Sequence, residues 1–313
     1  MLPHSPDPSS KKLKGDSFKK ITHEDMPLIW KYLQSEKGRT TDFSYAGILM
    51  WVDLFKYEYA VANDTLFIKG VVEDHRELPA FSMPLGEKPL EESVEILRKY
   101  CEENDLVLEF SAVPEYILPE FEKLNPKKVE LLGDWSDYLY DAEALATLKG
   151  KKMSKKRNHV NHFISHNPEW SFQPLSADNA AEALKFMDVY DSELDDSFMA
   201  KEESRLSRKM IEMIAEGDPV MHGGVLYSSP GKICALTIGD VKGDTLYVHI
   251  EKATRGVSGS YEMVNYQFAS HIKEVHPEVN FINREDDSGD EGLRLAKESY
   301  HPVDLLKKYN IIF

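Results

Sequence analysis

Apolar positions along the chain fall at two spacings, one helical and one extended, and the two alternate in blocks. From residue 170, "WSFQPLS" reads as a short strand. Ala180, Leu184 and Met187 then give one face of a helix that Ser176 and Asp178 can cap. Leu206, Met210, Met213 and Ile214 mark a second helix. Strands "MHGGVLYS", "KICALTIGD" and "DTLYVHIEKA" follow, joined by the hairpin turns "SSPG" and "VKGD". A glycine-containing loop, "TRGVSGS", leads into helix "YEMVNYQFASHI" and strand "VNFIN". A helix within "INREDDSGDEGLRLAKESYHP" and a last strand near "YNIIF" complete the half.

The first half repeats this order. It runs from "SFKKIT" through two helical stretches, strands "EYAVAND", "TLFIKGV" and "LPAFSMPL", helix "LEESVEILRKYCEEN", strand "LVLEFSA", helix "PEYILPEFEKL" and strand "DWSDYLYD". Two copies of one order predict a duplicated α+β fold. Each copy is a domain with a mixed, mostly antiparallel sheet flanked by helices. The predicted domains are 16–150 and 151–313, the second entered by a basic connector helix over 151–167. Residues 1–15, rich in Pro, Ser and Lys, read as a disordered lead-in.

Composition narrows the class. A chain of 313 residues with 42% hydrophobic and 29% charged positions suits two globular domains. No apolar run reaches the roughly 18 residues of a membrane helix, and two cysteines in apolar surroundings suit free thiols in the cytoplasm. The net charge of −16 argues against coating DNA, because such binding rests on many Lys and Arg contacts to phosphate. One local exception is "KGKKMSKKRNH", residues 149–159. It reads as a solvated helix, as a site for phosphate or an acidic substrate, or, less well, as a metal site built on His162 and His166. The adjacent lysines oppose a cation, and no zinc motif or P-loop occurs, so no metal is expected.

Two helix starts differ in what they offer an anion. The loop before "YEMVNYQ" combines Gly256 and Gly259, the hydroxyls of Ser258 and Ser260, and Arg255, which suits a phosphate at a helix N-terminus. The helix after "INREDD" instead starts on Ser288-Gly289-Asp290-Glu291, a capping box that satisfies its own amides. Leu293, Ala296 and Tyr300 form its expected core stripe, with Arg294 and Lys297 beside them. In the first copy, "PLGEKPLEES" carries glutamates where a phosphate would sit, so that copy is not expected to bind the donor.

The element order, together with "KKRNHVNHF", "VSGSYEMVNYQFA" and "INREDDSGDEGLRLAKESYHP", resembles tandem domains of the GNAT N-acyltransferase fold. It is similar to the Fem aminoacyltransferases and, most closely, to a family related to the C-terminal catalytic domain of phosphatidylglycerol lysyltransferases. That resemblance implies transfer of an acyl or aminoacyl group from a phosphate-containing donor to an amine or hydroxyl. The donor it implies is aminoacyl-tRNA or acyl-coenzyme A, acting as co-substrate with no permanently bound cofactor. The acceptor is a small molecule or lipid headgroup, and tRNA is a candidate partner. Tyr300 matches the position of a general acid in many GNAT enzymes. Glu251 and His249, which strand alternation places on one face, are candidate bases. Arg255, Gly256, Ser258, Gly259 and Ser260 are candidates for donor phosphate; Lys156, Arg157, Asn158, Asn283, Asp286, Arg294 and Lys297 for substrate. The alternative is a non-catalytic binding or regulatory module that keeps the fold.

Overall fold

A computed structural model describes residues 12–72, 75–192 and 198–313. Most of the sequence-predicted lead-in, residues 1–11, lies outside them. The chain divides into two compact units, one of residues up to Asp137 plus Leu306–Phe313 and the other Tyr138–Leu305.

The first unit is a mixed sheet with helices Met26–Leu33, Tyr45–Trp51 and Leu90–Glu103. Its strands run in the order Lys19–Lys20, Glu58–Ala62, Thr65–Val71, Pro79–Phe81, Glu109–Pro114, Lys308–Ile312, Lys128–Leu131. Phe43, Phe67, Phe81, Phe110 and Phe121 fill its core. Lys308 is buried there, its Nζ 2.9 Å from Asp42 and 2.8 Å from Asp137.

In the second unit we number the strands β1 (Asp137–Asp141), β2 (Ser171–Pro174), β3 (Met221–Ser229), β4 (Lys232–Lys242), β5 (Thr245–Ala253), β6 (Phe281–Asn283) and β7 (Asp304–Leu306). The helices are α1 (Ala142–Thr147), α2 (Ser154–His166), α3 (Ala180–Ser192), α4 (Phe198–Ala215), α5 (Ser260–Val275) and α6 (Glu291–Glu298). The sheet order is β7-β1-β6-β5-β4-β3-β2. Met263, Val264, Phe268, Ala269 and Ile272 recur on one side of α5 and bury it in a core with Phe163 of α2 and Leu246 and Val248 of β5. Burying each large side chain of that kind contributes roughly 1.5–3 kcal/mol.

The predicted boundaries need two corrections. The strand in "DWSDYLYD", assigned above to the first domain, pairs with β6 in the second sheet. The final strand, assigned above to the second domain, pairs with Glu109–Pro114 and Lys128–Leu131 in the first sheet. The division therefore falls at 137/138 and again at 305/306, not near 150. Strand patterning specifies that a segment is extended, but not which sheet edge it joins.

Two details of the second sheet matter for function. Strands β5 and β6 run parallel and pair only at Thr245–Phe281, Leu246–Ile282 and Tyr247–Asn283. Beyond Tyr247, β5 continues six residues without β6 beside it, which leaves a wedge in the sheet. At the start of the wedge β5 carries a bulge. Gly239 pairs with Val248 and Ile238 with Ile250, so His249 is an extra residue.

Candidate functional site

The loop after β6 drops into that wedge. Arg284 pairs with Glu251 of β5 through Nε at 2.9 Å and Nη2 at 2.7 Å, both to Oε2. The next residue, Glu285, has φ +58°, a left-handed conformation that non-glycine residues adopt at a cost of about 1–2 kcal/mol. Its carboxylate lies 2.7 Å from His249 Nδ1. Consecutive loop residues therefore grip β5 at two points.

Tyr300, just past the end of α6, is the hub of the cluster. Its ring has Lys156 Nζ 3.9 Å from its centroid, the Arg284 guanidinium carbon at 4.7 Å, and Tyr140 edge-on at 6.4 Å. Lys156 reaches it from α2 and is balanced by Glu262 of α5 at 3.5 Å. Burial holds the Tyr300 phenol well above its ordinary pKa, against the nearby Arg284 charge. Desolvation drives the Lys156 ammonium below its usual value, with Glu262 opposing that shift. Burial also disfavours the Arg284 charge, but Glu251, Tyr140 and Tyr300 together outweigh burial and keep the guanidinium charged. Three polar atoms in this cluster are uncommitted. Arg284 Nη1 and Glu251 Oε1 are buried without a hydrogen-bond partner among the described residues, and the Tyr300 hydroxyl has no hydrogen bond to the protein there.

The structure brings Tyr300, Glu251 and Lys156 into one cluster with Arg284, Glu262 and Tyr140. Arg284 was missed, although it is the first charge after the apolar strand "VNFIN" and stands alone in an acidic stretch.

Several other expectations are corrected. His249 and Glu251 do not share a face, because the bulge inverts facing between them. His249 is no free base. Its Nε2 lies 2.7 Å from Asp240, its Nδ1 2.7 Å from Glu285, and its side chain is fully enclosed. Burial lowers its pKa, but the two carboxylates outweigh that and raise it to about 10.

Residues proposed for substrate prove to shape the scaffold. Arg157 donates to the carbonyls of Leu148 and Gly150 at the end of α1. Asn283 is buried and accepts from the Glu285 amide at 2.7 Å. Asp286 accepts from the amide and hydroxyl of Ser288. Arg294 makes two 3.0 Å bonds to Asp287, whose carboxyl Arg294 holds down at about 2 against burial. Lys297 donates to the carbonyls of Arg284 and Asp286. Arg294 and Lys297 thus face the loop, while Leu293 and Ala296 lie exposed, so of the expected core stripe only Tyr300 is buried. The cap of α6 is Asp290, accepting from Leu293 at 2.7 Å; Ser288 stands outside the helix. Asn158 is exposed on α2.

The loop before α5 is only partly open. Arg255, Gly256 and Ser258 are exposed. Gly259, by contrast, is the N-cap with φ +81°, and a Cβ there would lie 2.5 Å from the His159 carbonyl oxygen. Its lack of a side chain serves the close approach of α2. The buried Ser260 hydroxyl donates to Val257 at 2.8 Å and is not free for a ligand. Among the described residues no group of three or more His, Cys, Asp or Glu could hold a metal, and no helix is long and apolar enough to cross a membrane.

Two mixed sheets flanked by helices, with a wedge between parallel central strands of the second, define a tandem GNAT fold. Residues 35–312 match the family described as phosphatidylglycerol lysyltransferase, C-terminal, and the chain belongs to that family. A conserved protein of unknown function from Bacteroides thetaiotaomicron VPI-5482 is similar at 32% identity and TM-score 0.86, covering 95% of this chain and 99% of that one. L-PGS from Bacillus licheniformis shares the fold at 14% identity and TM-score 0.66, with 94% and 92% covered. FemX shares it at 9% identity and TM-score 0.59, with 95% and 97% covered. An uncharacterized protein of Mycoplasmoides gallisepticum is 25% identical over 183 residues, and the match spans 58% of its length. Family and fold together place the chain among GNAT-like acyl and aminoacyl transferases.

Proposed function

We propose that the second unit transfers an aminoacyl or acyl group from a phosphate-bearing donor to an amine or hydroxyl acceptor in the cytoplasm. The observation that carries this reading is a buried cluster that leaves polar atoms without a hydrogen-bond partner among the described residues: Arg284 Nη1 and Glu251 Oε1, with the Tyr300 ring packed against the Arg284 guanidinium and its hydroxyl likewise unbonded. Buried polar atoms without partners are costly, so a site that keeps them is preorganised for a ligand. A binding module that merely retained the fold would have closed these positions by packing.

The chemistry follows from the groups. Glu251 Oε1 accepts the proton of the attacking amine or hydroxyl. Arg284, held charged, stabilises the oxyanion as the carbonyl becomes tetrahedral. Tyr300 gives its proton to the leaving oxygen. A phenol raised by burial is a weak acid, suited to an alkoxide leaving group, which needs a proton. A thiolate, with a parent thiol near 8.5, leaves without one. This favours an ester donor, as in aminoacyl-tRNA, over an acyl-coenzyme A thioester. Arg255, Gly256 and Ser258 are placed to meet donor phosphate, and Lys156 extends that positive field to Tyr300.

Thermal shift distinguishes the donors. A 3′-aminoacylamino-adenosine, the amide mimic of a charged tRNA end, should stabilise the protein by about 2.7 kcal/mol at 100 times its Kd. Stabilisation by acetyl-coenzyme A alone would reverse the choice of donor. No response to either would remove the transferase reading.

A further inference from the structure

We infer that His249, bonded through both ring nitrogens, is a positioning residue that holds the loop after β6 in the one conformation that presents Arg284 to the site. This rests on the reading of Arg284 as part of the reacting surface. Oxygens of Asp240 and Glu285 stand 2.7 Å from Nε2 and Nδ1 respectively. A carboxylate only accepts, so both nitrogens must carry protons, and the ring is an imidazolium. The ring and Asp240 are fully enclosed, and Glu285 is 23% exposed.

The geometry gives this buried cation a task. Glu285 is left-handed at φ +58°, and that turn sends the side chains of Arg284 and Glu285 to different partners on β5. Left-handed glutamate is unfavourable and needs ties to persist. Its amide is held by Asn283 Oδ1, its carbonyl accepts from Tyr138, and its side chain is held by His249. The last of these ties reaches β5, where Glu251 receives Arg284. The bulge that inserts His249 is thus the feature that lets one strand hold both loop residues. The imidazole acts through Glu285 and touches no reacting atom.

Nitrogen-detected NMR tests this without any substrate. In the unmodified protein at pH 8, both His249 ring nitrogens should be protonated. The Arg284 Nε–H, enclosed by Glu251, should exchange slowly with water. His249→Gln and Glu285→Ala should each speed that exchange about tenfold or more, as expected when a local closing contact is lost. The Arg294 Nε–H, held by Asp287, should be unaffected, which separates loss of positioning from general loosening. A bare His249 nitrogen at pH 8 would overturn the inference. So would slow Arg284 exchange retained in the folded variants. Should His249→Gln not fold, Glu285→Ala alone decides, since its side chain is partly exposed. A failed donor assay would leave these readings intact, so the two proposals fail separately.

Discussion

Single side chains decide the chemistry. Tyr300→Phe removes one hydroxyl that has no hydrogen bond among the described residues and keeps the ring beside Lys156 and Arg284. If the phenol protonates the leaving group, kcat should fall on the order of 10²-fold with KM little changed. Unchanged kcat would reduce Tyr300 to a packing residue. His249 gives a pH signature. Its folded pKa, about 10, lies above the ordinary 6.5. Its stabilisation is therefore complete below about pH 6.5, shrinks as the unfolded chain loses the proton first, and is gone above about pH 10. Urea unfolding between pH 7 and 10.5 should show stability falling with pH. That slope should be reduced in His249→Gln; an identical slope in both proteins would refute the assignment.

At the scale of elements, the start of α5 and the cap of α6 answer different needs. Two glycines of one loop separate cleanly. Gly259→Ala puts a Cβ 2.5 Å from the His159 carbonyl in a left-handed residue, whereas at Gly256 nothing lies within 4 Å. Gly259→Ala should therefore cost roughly 1–3 kcal/mol, read as a lowered melting temperature. Gly256→Ala should leave stability within about 0.5 kcal/mol, as substitutions away from such features do, and be the better probe of donor binding. Equal stability of the two variants would show that α2 does not press on Gly259. The helical character of 154–166 and 260–275 was legible in the sequence because periodicity depends on residues three and four apart. The cap of α6 was read two residues early, at Ser288. Asp290 lies in the same polar run, and only the backbone shows which residue leaves the helix.

For the whole molecule, the consequence lies in the exchanged strands. Fragment 151–313 matches the boundary that patterning suggests, yet it lacks Asp137–Asp141 from inside the second sheet and carries Lys308–Ile312, which belongs to the first. Fragment 138–305 keeps nearly all of the second sheet. Circular dichroism and thermal melting should show a cooperative fold for 138–305 and none for 151–313. Cooperative melting of 151–313 would show that the strand of the first half is dispensable. The tandem α+β class and most of the element order were legible in the sequence itself, through local periodicity and family-specific stretches; the short strands Lys128–Leu131 and Asp304–Leu306 carry too little pattern and were not. The bulge at His249, the placing of Arg284 against a glutamate 33 residues away, and the sheet each terminal strand joins were decided by tertiary structure. The reason is physical. Spacing along the chain governs contacts within a turn of helix or a hairpin, whereas register slips and buried ion pairs depend on segments that meet only when the sheet closes.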